Sequence, residues 1–234
     1  MDKRSPLDEV SRMGNERFDP SLTDPNWLVL RERRRIFQNW MSQIPSAAMN
    51  VLDVGGRIQP YRTLLSNRLR RYTAVDVRIT PLVDVAAVGE QLPFREGEFD
   101  LVICTQVLEY IFQPESLVAE VHRVLKPGGV LLLSAPSASL VDSANEYWRF
   151  LPAGLRRLLQ SFARVEVEAE GSSVAGFFRT VNACFEVFAR YPMARSAYRH
   201  SFCPVVNLAG ALLEKLSGGR NNQLTVNYSV RAEK

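Results

Sequence analysis

The sequence is poor in cysteine and histidine. Its 234 residues include three cysteines and two histidines. The cysteines, Cys104, Cys184 and Cys203, form no Cys-x-x-Cys pair, so the pattern favours neither a disulfide scaffold nor a zinc site. The histidines, His122 and His200, are far apart in the chain. We therefore expect a protein of a reducing compartment without a bound metal.

Long apolar runs are also missing. No segment approaches the roughly 18 to 20 apolar residues that span a bilayer, and the N-terminus has no apolar segment typical of a signal peptide. The cytoplasm is therefore the expected location. The net charge of +4 and the pI of about 9.1 permit an anionic partner without requiring one. Arginine-rich runs at 31–35 and 70–71 are typical of solvated helix faces, which disfavours nucleic acid as a partner.

What the sequence does contain is enough apolar material for a single α/β domain. Hydrophobic residues make up 46% of the chain and charged residues 23%, as in ordinary globular proteins. Residues 1–25 are polar and predict a loose arm, and Trp27–Met41 has helical apolar spacing. We expect residues 1–49 to form an arm and a helix that pack on a domain spanning residues 50–234.

Short apolar segments alternate with helical patterns along that domain. The predicted strands are Val51–Val54, Tyr72–Val77, Val83–Ala86, Phe99–Cys104, Val130–Ser134, 163–170 and Gln223–Arg231. Helices are predicted after Pro60 and over Glu115–Lys126. Such alternation produces right-handed βαβ units, so the chain predicts a Rossmann-like, mostly parallel seven-stranded sheet with helices on both faces.

The segment 174–222, between the last two predicted strands, is longer than a hairpin connection needs. Its sequence is apolar and helical, with an aromatic stripe in its first half. Such a helical insertion is typical of a lid, a homodimer surface or a peripheral membrane patch. The first two are favoured, because the insertion lacks a strongly basic face.

A glycine turn follows the first predicted strand. Residues 51–56 read Val-Leu-Asp-Val-Gly-Gly, and Asp76 ends the second strand 23 residues after Asp53. A glycine turn between a strand and a helix lets backbone approach a ligand at the carboxyl edge of the sheet. An acid about twenty residues further on is suited to bind both hydroxyls of a ribose.

Three later motifs occur in order: Leu-Pro-Phe at 92–94, Gly-Glu-Phe-Asp-Leu-Val at 97–102 and Leu-Lys-Pro-Gly-Gly at 125–129. With them, residues 50–135 resemble the class I methyltransferases, specifically the type 11 branch. The resemblance implies S-adenosylmethionine as cofactor and an antiparallel last strand in the sheet. It extends weakly to Asn227–Val230.

The resemblance also implies roles for particular residues. The cofactor site it implies consists of Asp53, Gly55, Gly56, Arg57, Asp76, Val77, Gly89, Glu90, Thr105 and Gln106. Asp53 would hold the amino group of the methionine moiety, and Asp76 the ribose hydroxyls. The stretch 88–90 would pass along the adenine. Thr105 and Gln106 would face the sulfonium.

Two positions depart from the family pattern. The usual Gly-x-Gly-x-Gly loop reads Gly-Gly-Arg-Ile-Gln over 55–59, so Arg57 and Gln59 replace glycines. Arg57 either pairs with the methionine carboxylate or is a surface residue beside a widened loop. Val88 stands where many relatives have an Asp that binds the adenine amino group. A backbone carbonyl or Glu90 is the expected substitute.

Methyl transfer from an activated sulfonium requires mainly positioning and exclusion of water, with a general base for some acceptors. Glu109, Tyr110 and Tyr147 are the candidates for that base. The segment 145–150, Asn-Glu-Tyr-Trp-Arg-Phe, resembles one found in type 11 enzymes of glycan and natural-product gene clusters. Its Trp148 has either an acceptor-binding role or a structural role as an anchor. The two histidines are poor candidates for a base.

The sequence thus predicts a methyltransferase for a small-molecule, glycan or natural-product acceptor, acting by in-line displacement. The alternative is a non-catalytic methyltransferase-like scaffold, which the altered glycine loop and Val88 favour and the retained Asp53, Gly55 and Asp76 oppose. A nucleic-acid methyltransferase is disfavoured, because neither an Asn/Asp-Pro-Pro-Tyr motif nor a Pro-Cys nucleophile occurs.

Overall fold

The computed structural model describes residues 5–45, 48–65, 67–139, 141, 143–188, 191–218 and 221–234. The strands are β1 (Met49–Val54), β2 (Leu69–Asp76), β3 (Val85–Ala86), β4 (Phe99–Thr105), β5 (Leu125–Pro136), β6 (Arg164–Ala169) and β7 (Asn227–Glu233). The α-helices are α1 (Pro6–Phe18), α2 (Trp27–Gln43), α3 (Pro114–Val124), α4 (Pro152–Leu158), α5 (Ser173–Phe188), α6 (Pro192–Ala197) and α7 (Cys203–Leu216). Short 3₁₀ turns cover Arg62–Leu65 and Leu108–Tyr110, and a π-helical turn covers Tyr198–Phe202.

The seven strands form one sheet in the order β3-β2-β1-β4-β5-β7-β6. Strand β1 pairs in parallel with both β2 and β4, and β4 pairs in parallel with β5. The last strand, β7, is antiparallel to both of its neighbours. The predicted Rossmann-like sheet with an antiparallel last strand is therefore confirmed. The carboxyl ends of β1, β2 and β4 meet at one edge, which is where such sheets bind ligands.

Helices cover both faces of the sheet, as predicted. On one face, the apolar stripe of α3 and the buried residues of α4 pack against the central strands. On the other face, Ile36, Phe37 and Trp40 of α2 are fully buried against residues of β1, β4 and β5. The α2 helix thus takes part in the core, although it precedes the sheet in the chain.

Two regions differ from their predicted structure. The arm is not loose: α1 begins at Pro6 with a capping box, in which the Ser5 hydroxyl and the Asp8 carboxylate each accept from the other residue's backbone N–H. The periodicity gave no sign of α1 because Gly14 is its only fully buried residue. The helix predicted after Pro60 is only a 3₁₀ turn, since β2 begins at Leu69 and takes up the end of that segment.

The insertion consists of α5, α6, the π-helical turn and α7, and its residues 189–190 and 219–220 lie outside the described residues. Inside it, the Asn182 amide donates to Asn207 Oδ1 at 3.0 Å and the Tyr198 hydroxyl donates to Asn182 Oδ1 at 2.9 Å. Outside, several large apolar side chains are exposed: Phe177, Val205, Leu208, Leu212 and Leu216. A lid, dimer or membrane role for this insertion stays a prediction. No helix among the described residues is long and apolar enough to cross a bilayer.

A buried ion pair ties α2 to the far edge of the sheet. Arg33 Nε donates to Glu170 Oε1 at 2.9 Å, and its Nη2 lies 2.8 Å from Glu170 Oε2. Both side chains are almost completely buried, and the Ser229 hydroxyl donates to Glu170 at 2.7 Å. Burial disfavours the charged form, yet the Glu170 carboxylate raises the pKa of Arg33 above its usual value. The pair fixes α2 against the end of β6 and against β7.

Removing only one partner of this pair leaves a buried charge. We expect Glu170→Gln to lower the free energy of unfolding by about 3 to 5 kcal/mol, measured by urea denaturation. Glu168→Gln, two residues earlier on the partly exposed β6, is the control and should change it by less than about 0.5 kcal/mol. Equal effects of the two substitutions would contradict the importance of the pair.

Candidate active site

A cavity of about 840 Å³ lies at the carboxyl edge of the sheet. Its floor comes from the residues that follow β1, β2 and β4, and its walls come from α1, α2, α5 and the loop after β5. Residues from outside the predicted methyltransferase core therefore close it. Such a volume is typical of a site for a small molecule.

The glycine turn after β1 lies against this cavity. Gly55 has a φ of +78°, and its N–H donates to the Val75 carbonyl at 2.8 Å. A Cβ at Gly55 would lie 2.3 Å from Cγ2 of Val107, so a larger residue there would clash with the Val107 side chain. Both the backbone angle and the packing therefore require glycine at this position.

Side-chain hydrogen bonds hold the rest of the loop where the family pattern has glycines. Gln59 has a φ of +46°, and its amide donates to the Leu82 carbonyl at 2.6 Å. Arg62 Nη1 donates to Gln59 Oε1 at 2.8 Å, and the Thr80 hydroxyl donates to the Arg57 carbonyl at 2.9 Å. The loop thus keeps a left-handed turn without a third glycine.

Helix α1 rests directly on this loop. A Cβ at Gly14 would lie 2.1 Å from the Ile58 carbonyl oxygen, so the helix and the loop touch through their backbones. Beyond that contact, Met13, Glu16 and Arg17 of α1 line the cavity. The helix that sequence periodicity did not indicate is therefore one wall of the site.

Asp53 is buried behind the turn. The Tyr72 hydroxyl donates to its Oδ2 at 2.6 Å. Burial raises the pKa of Asp53 to about 7, and the negative charge of Asp76 adds to this, while the bond from Tyr72 opposes it. Asp53 and Gly56 do not form the cavity wall themselves; they support the residues that do.

The other residues of the predicted cofactor site are brought together at the cavity. Those that line it are Gly55, Arg57, Asp76, Val77, Gly89, Glu90, Thr105 and Gln106. Asp76 ends β2 and accepts the Arg78 N–H at 2.7 Å through one carboxylate oxygen. Gln106 has a φ of +54°, and its backbone N–H donates to the Ser134 carbonyl at 2.9 Å. The ends of β2 and β4 thus both place polar groups at the cavity.

Glu109 is a buried carboxylate on the cavity wall. Within the described part of the chain its Oε2 has no hydrogen-bond partner. Burial raises the pKa of Glu109 to about 7, even though the nearby Arg33 guanidinium favours its charged form. A carboxyl group that titrates near neutral pH beside a cavity is suited to accept a proton.

The other candidates for a base are placed less favourably. Tyr110 lines the cavity, but its hydroxyl donates to Glu146 at 3.1 Å. Tyr147 is largely exposed and does not line the cavity. Neither histidine lines it: His122 packs edge-on against Phe162, and His200 lies exposed in the π-helical turn. Among the described residues, no three His, Cys, Asp or Glu side chains converge on a metal site.

Sequence reasoning missed three arginines on the cavity wall. Arg17, Arg33 and Arg179 come from α1, α2 and α5, none of which belongs to the recognised motifs. Arg33 Nη1 and the nearby Tyr61 hydroxyl are both buried, and neither atom has a hydrogen-bond partner among the described residues. The only early signal was the arginine-rich outer face predicted for the helix at 27–41.

Comparison with known proteins decides the family. Residues 52–133 match the family model described as "Methyltransferase domain". This part of the chain is thus a methyltransferase domain of the class I, S-adenosylmethionine-dependent type. It is 27% identical to the ubiquinone biosynthesis O-methyltransferase of Dechloromonas aromatica over 63% of this chain and 72% of that enzyme. It is 32% identical to the enzyme of that name from Pseudomonas aeruginosa over 46% of each chain, so it spans about half of that relative.

Solved structures show the same fold. A methyltransferase from Archaeoglobus fulgidus superimposes with a TM-score of 0.57 at 15% identity, covering 95% of this methyltransferase and 99% of that chain. S-Adenosylmethionine is the cofactor of this methyltransferase. The residues present fit it: the Asp76 carboxylate ends β2 at the cavity, and Arg33 Nη1 is buried there with no hydrogen-bond partner among the described residues.

The two buried carboxyl groups predict how stability depends on pH. Because folding raises the pKa of Asp53 and Glu109 to about 7, the native state keeps protons that the unfolded chain has lost between about pH 4 and 7. The free energy of unfolding of the cofactor-free protein should therefore fall as the pH rises through this range. Between pH 5 and 8 we expect each group to contribute about 1 to 3 kcal/mol.

Urea denaturation at pH 5 and 8 measures this dependence. Asp53→Asn should reduce the difference between the two pH values, because an amide does not titrate. Glu96→Gln, at an exposed carboxylate, is the control and should leave the difference unchanged. An Asp53→Asn protein with the full wild-type difference would show that Asp53 ionises normally in the fold.

Proposed function

We propose that this methyltransferase transfers a methyl group to an oxygen atom of a small-molecule acceptor, with Glu109 as the general base. The observation that carries the proposal is the buried Glu109 carboxylate on the cavity wall, whose Oε2 has no hydrogen-bond partner among the described residues. It follows Thr105 and Gln106, the residues expected to face the sulfonium, by one short turn. A small-molecule acceptor fits the cavity volume of about 840 Å³.

A carboxylate base suits an oxygen acceptor. A hydroxyl group is a weak nucleophile until its proton is removed, whereas a neutral amine already offers a lone pair. With a pKa of about 7, Glu109 is partly ionised at neutral pH and has a useful affinity for that proton. The names of the ubiquinone biosynthesis O-methyltransferases support oxygen as the methylated atom.

We assign the cofactor to the inner half of the cavity. When bound, S-adenosylmethionine supplies a methyl group activated by a sulfonium. Asp76 would bind the ribose hydroxyls, and the ionised form of Asp53 would attract the amino group from behind the turn. Val77, Gly89 and Glu90 would lie along the nucleoside.

For the cofactor carboxylate, the cavity wall offers Arg57 and the unpartnered Nη1 of Arg33. If Arg57 pairs with this carboxylate, Arg57→Ala should weaken S-adenosylhomocysteine binding about tenfold. Binding of 5′-methylthioadenosine, which lacks the amino acid portion, should not change. Titration calorimetry measures binding of both ligands, with Arg70→Ala, at an exposed position near the start of β2, as the control. If Arg57→Ala leaves the affinity for S-adenosylhomocysteine unchanged, Arg57 does not bind the carboxylate, and Arg33 is assigned to it instead.

The role of Glu109 is tested by Glu109→Gln. We expect kcat to fall by about 10²- to 10⁴-fold, because the amide cannot accept a proton, while S-adenosylhomocysteine affinity stays within about threefold. The ascending limb of the pH–rate profile, near pH 7 in the wild type, should disappear. Glu115→Gln, at an exposed carboxylate on α3, is the matched control. A small loss of kcat with an unchanged pH profile would show that Glu109 is not the base.

Activity itself is tested with labelled S-adenosylmethionine and three sets of acceptors: phenols and catechols, primary and secondary amines, and mono- and disaccharides. The proposal predicts transfer to a hydroxylated small molecule and none to the amines. Transfer to the saccharides would assign the glycan class instead. Binding of cofactor without transfer to any set would favour the non-catalytic scaffold.

A further inference from the structure

Four exposed aromatic side chains stand beside the cavity. We call them the aromatic lip: Tyr110, Phe112, Tyr147 and Trp148. Their exposed fractions are 41%, 65%, 56% and 42%. The rings of Phe112 and Tyr147 meet edge to face, with centroids 5.4 Å apart. Large aromatic side chains gain more free energy from burial than smaller apolar side chains do. A group of them that stays exposed therefore needs an explanation.

Hydrogen bonds fix the two chain segments that carry the lip. The Trp148 indole N–H donates to the Ile111 carbonyl at 2.9 Å, and the Tyr147 N–H donates to the Glu109 carbonyl at 2.8 Å. The Tyr110 hydroxyl donates to Glu146 at 3.1 Å. These bonds join the 3₁₀ turn after β4 to the segment around Tyr147. The rings are thus mounted on a fixed backbone, with their polar atoms already engaged at Trp148 and Tyr110.

Of the lip residues, Tyr110 lines the cavity, and the other three lie in the two chain segments that flank it. Glu109, Tyr110 and Ile111 line the cavity, and Phe112 is the next residue. On the other segment, Asn145 and Glu146 line it, and Tyr147 follows. A molecule whose hydroxyl group reaches Glu109 and which is longer than the cavity would therefore pass over these rings.

The chemistry of the lip selects an apolar ligand group. The Glu146 carboxylate lies 2.6 Å from Arg149 Nη2, so these two charges, on the same chain segment as Tyr147 and Trp148, compensate each other. The outward surface of the lip is made mainly of ring carbon. An apolar ligand group that covers these rings removes apolar surface from water, which is favourable. An anionic group would meet the negative faces of the rings, whereas a hydrocarbon chain can cover them without losing hydrogen bonds to water.

We propose that the aromatic lip is an outer acceptor subsite for a hydrocarbon extension of the molecule that is methylated. This proposal rests on the proposed function, since it takes the hydroxyl group of the acceptor to lie at Glu109. It adds a specificity determinant: the preferred acceptor carries a hydrocarbon chain attached to the hydroxylated part.

The test compares three probes on the complex with S-adenosylhomocysteine: phenol, 4-hexylphenol and 4-hydroxyphenyl β-glucoside. Each fully buried methylene increases affinity about fourfold, so a half-covered hexyl chain should give 4-hexylphenol an advantage over phenol of about 30-fold or more. Titration calorimetry yields this ratio of dissociation constants without any turnover. The glucoside should bind no better than phenol.

Substitutions in the aromatic lip test whether these residues cause the higher affinity for 4-hexylphenol. Phe112→Ser and Tyr147→Ser should each reduce the ratio between 4-hexylphenol and phenol at least threefold. The matched controls are Phe177→Ser and Tyr191→Ser, one exposed phenylalanine and one exposed tyrosine of the helical insertion, which should leave the ratio unchanged. Use of a ratio removes any effect that a variant has on binding of the phenol ring itself.

Three results would overturn the proposal: no advantage of 4-hexylphenol over phenol, an advantage equal in the lip variants and the wild type, or stronger binding of the glucoside. Its failure is distinguishable from failure of the proposed function. A methyltransferase that methylates phenols with Glu109 but shows no hexyl advantage retains the function and loses the subsite. An advantage that depends on the lip without methylation of any phenol retains the subsite and rejects oxygen transfer.

Discussion

The ion pair between Arg33 and Glu170 is the interaction on which the site depends. It joins α2, which precedes the sheet in the chain, to the end of β6, and the Ser229 hydroxyl of β7 completes it. With α2 fixed, the N-terminal helices form a wall over the carboxyl edge of the sheet instead of lying elsewhere on the surface. A buried pair of this kind contributes little net stability compared with apolar packing, so its value lies in the arrangement it specifies.

The glycine loop shows how a family pattern can be altered while its shape is kept. Glycine is indispensable at Gly55, where both the angle and the contact with Val107 exclude a side chain. At Gln59 the left-handed turn is held by hydrogen bonds to Leu82 and Arg62. Amide side chains tolerate that backbone region at modest cost. The departure therefore does not by itself indicate loss of cofactor binding.

Burial of ionisable groups in this site lowers the stability of the cofactor-free protein. Asp53 and Glu109 both have a pKa raised to about 7 because little water reaches them. In the cofactor-free protein this is unfavourable above neutral pH. A ligand with an ammonium group near Asp53, or a hydroxyl proton near Glu109, would recover part of that free energy. Unfavourable burial of an ionisable group is typical of functional sites.

The sheet and most of the residues at its carboxyl edge could be predicted from the amino-acid sequence, because short-range patterns specify them: apolar strands, a glycine turn, and Asp76 at a fixed spacing. What closes the cavity could not be predicted, since it depends on tertiary packing. Helix α1 has a single buried residue, so it leaves no apolar stripe to recognise, and Arg33 meets Glu170 across 137 positions of sequence. Contacts of that separation depend on how helices pack on the sheet, which no local pattern records.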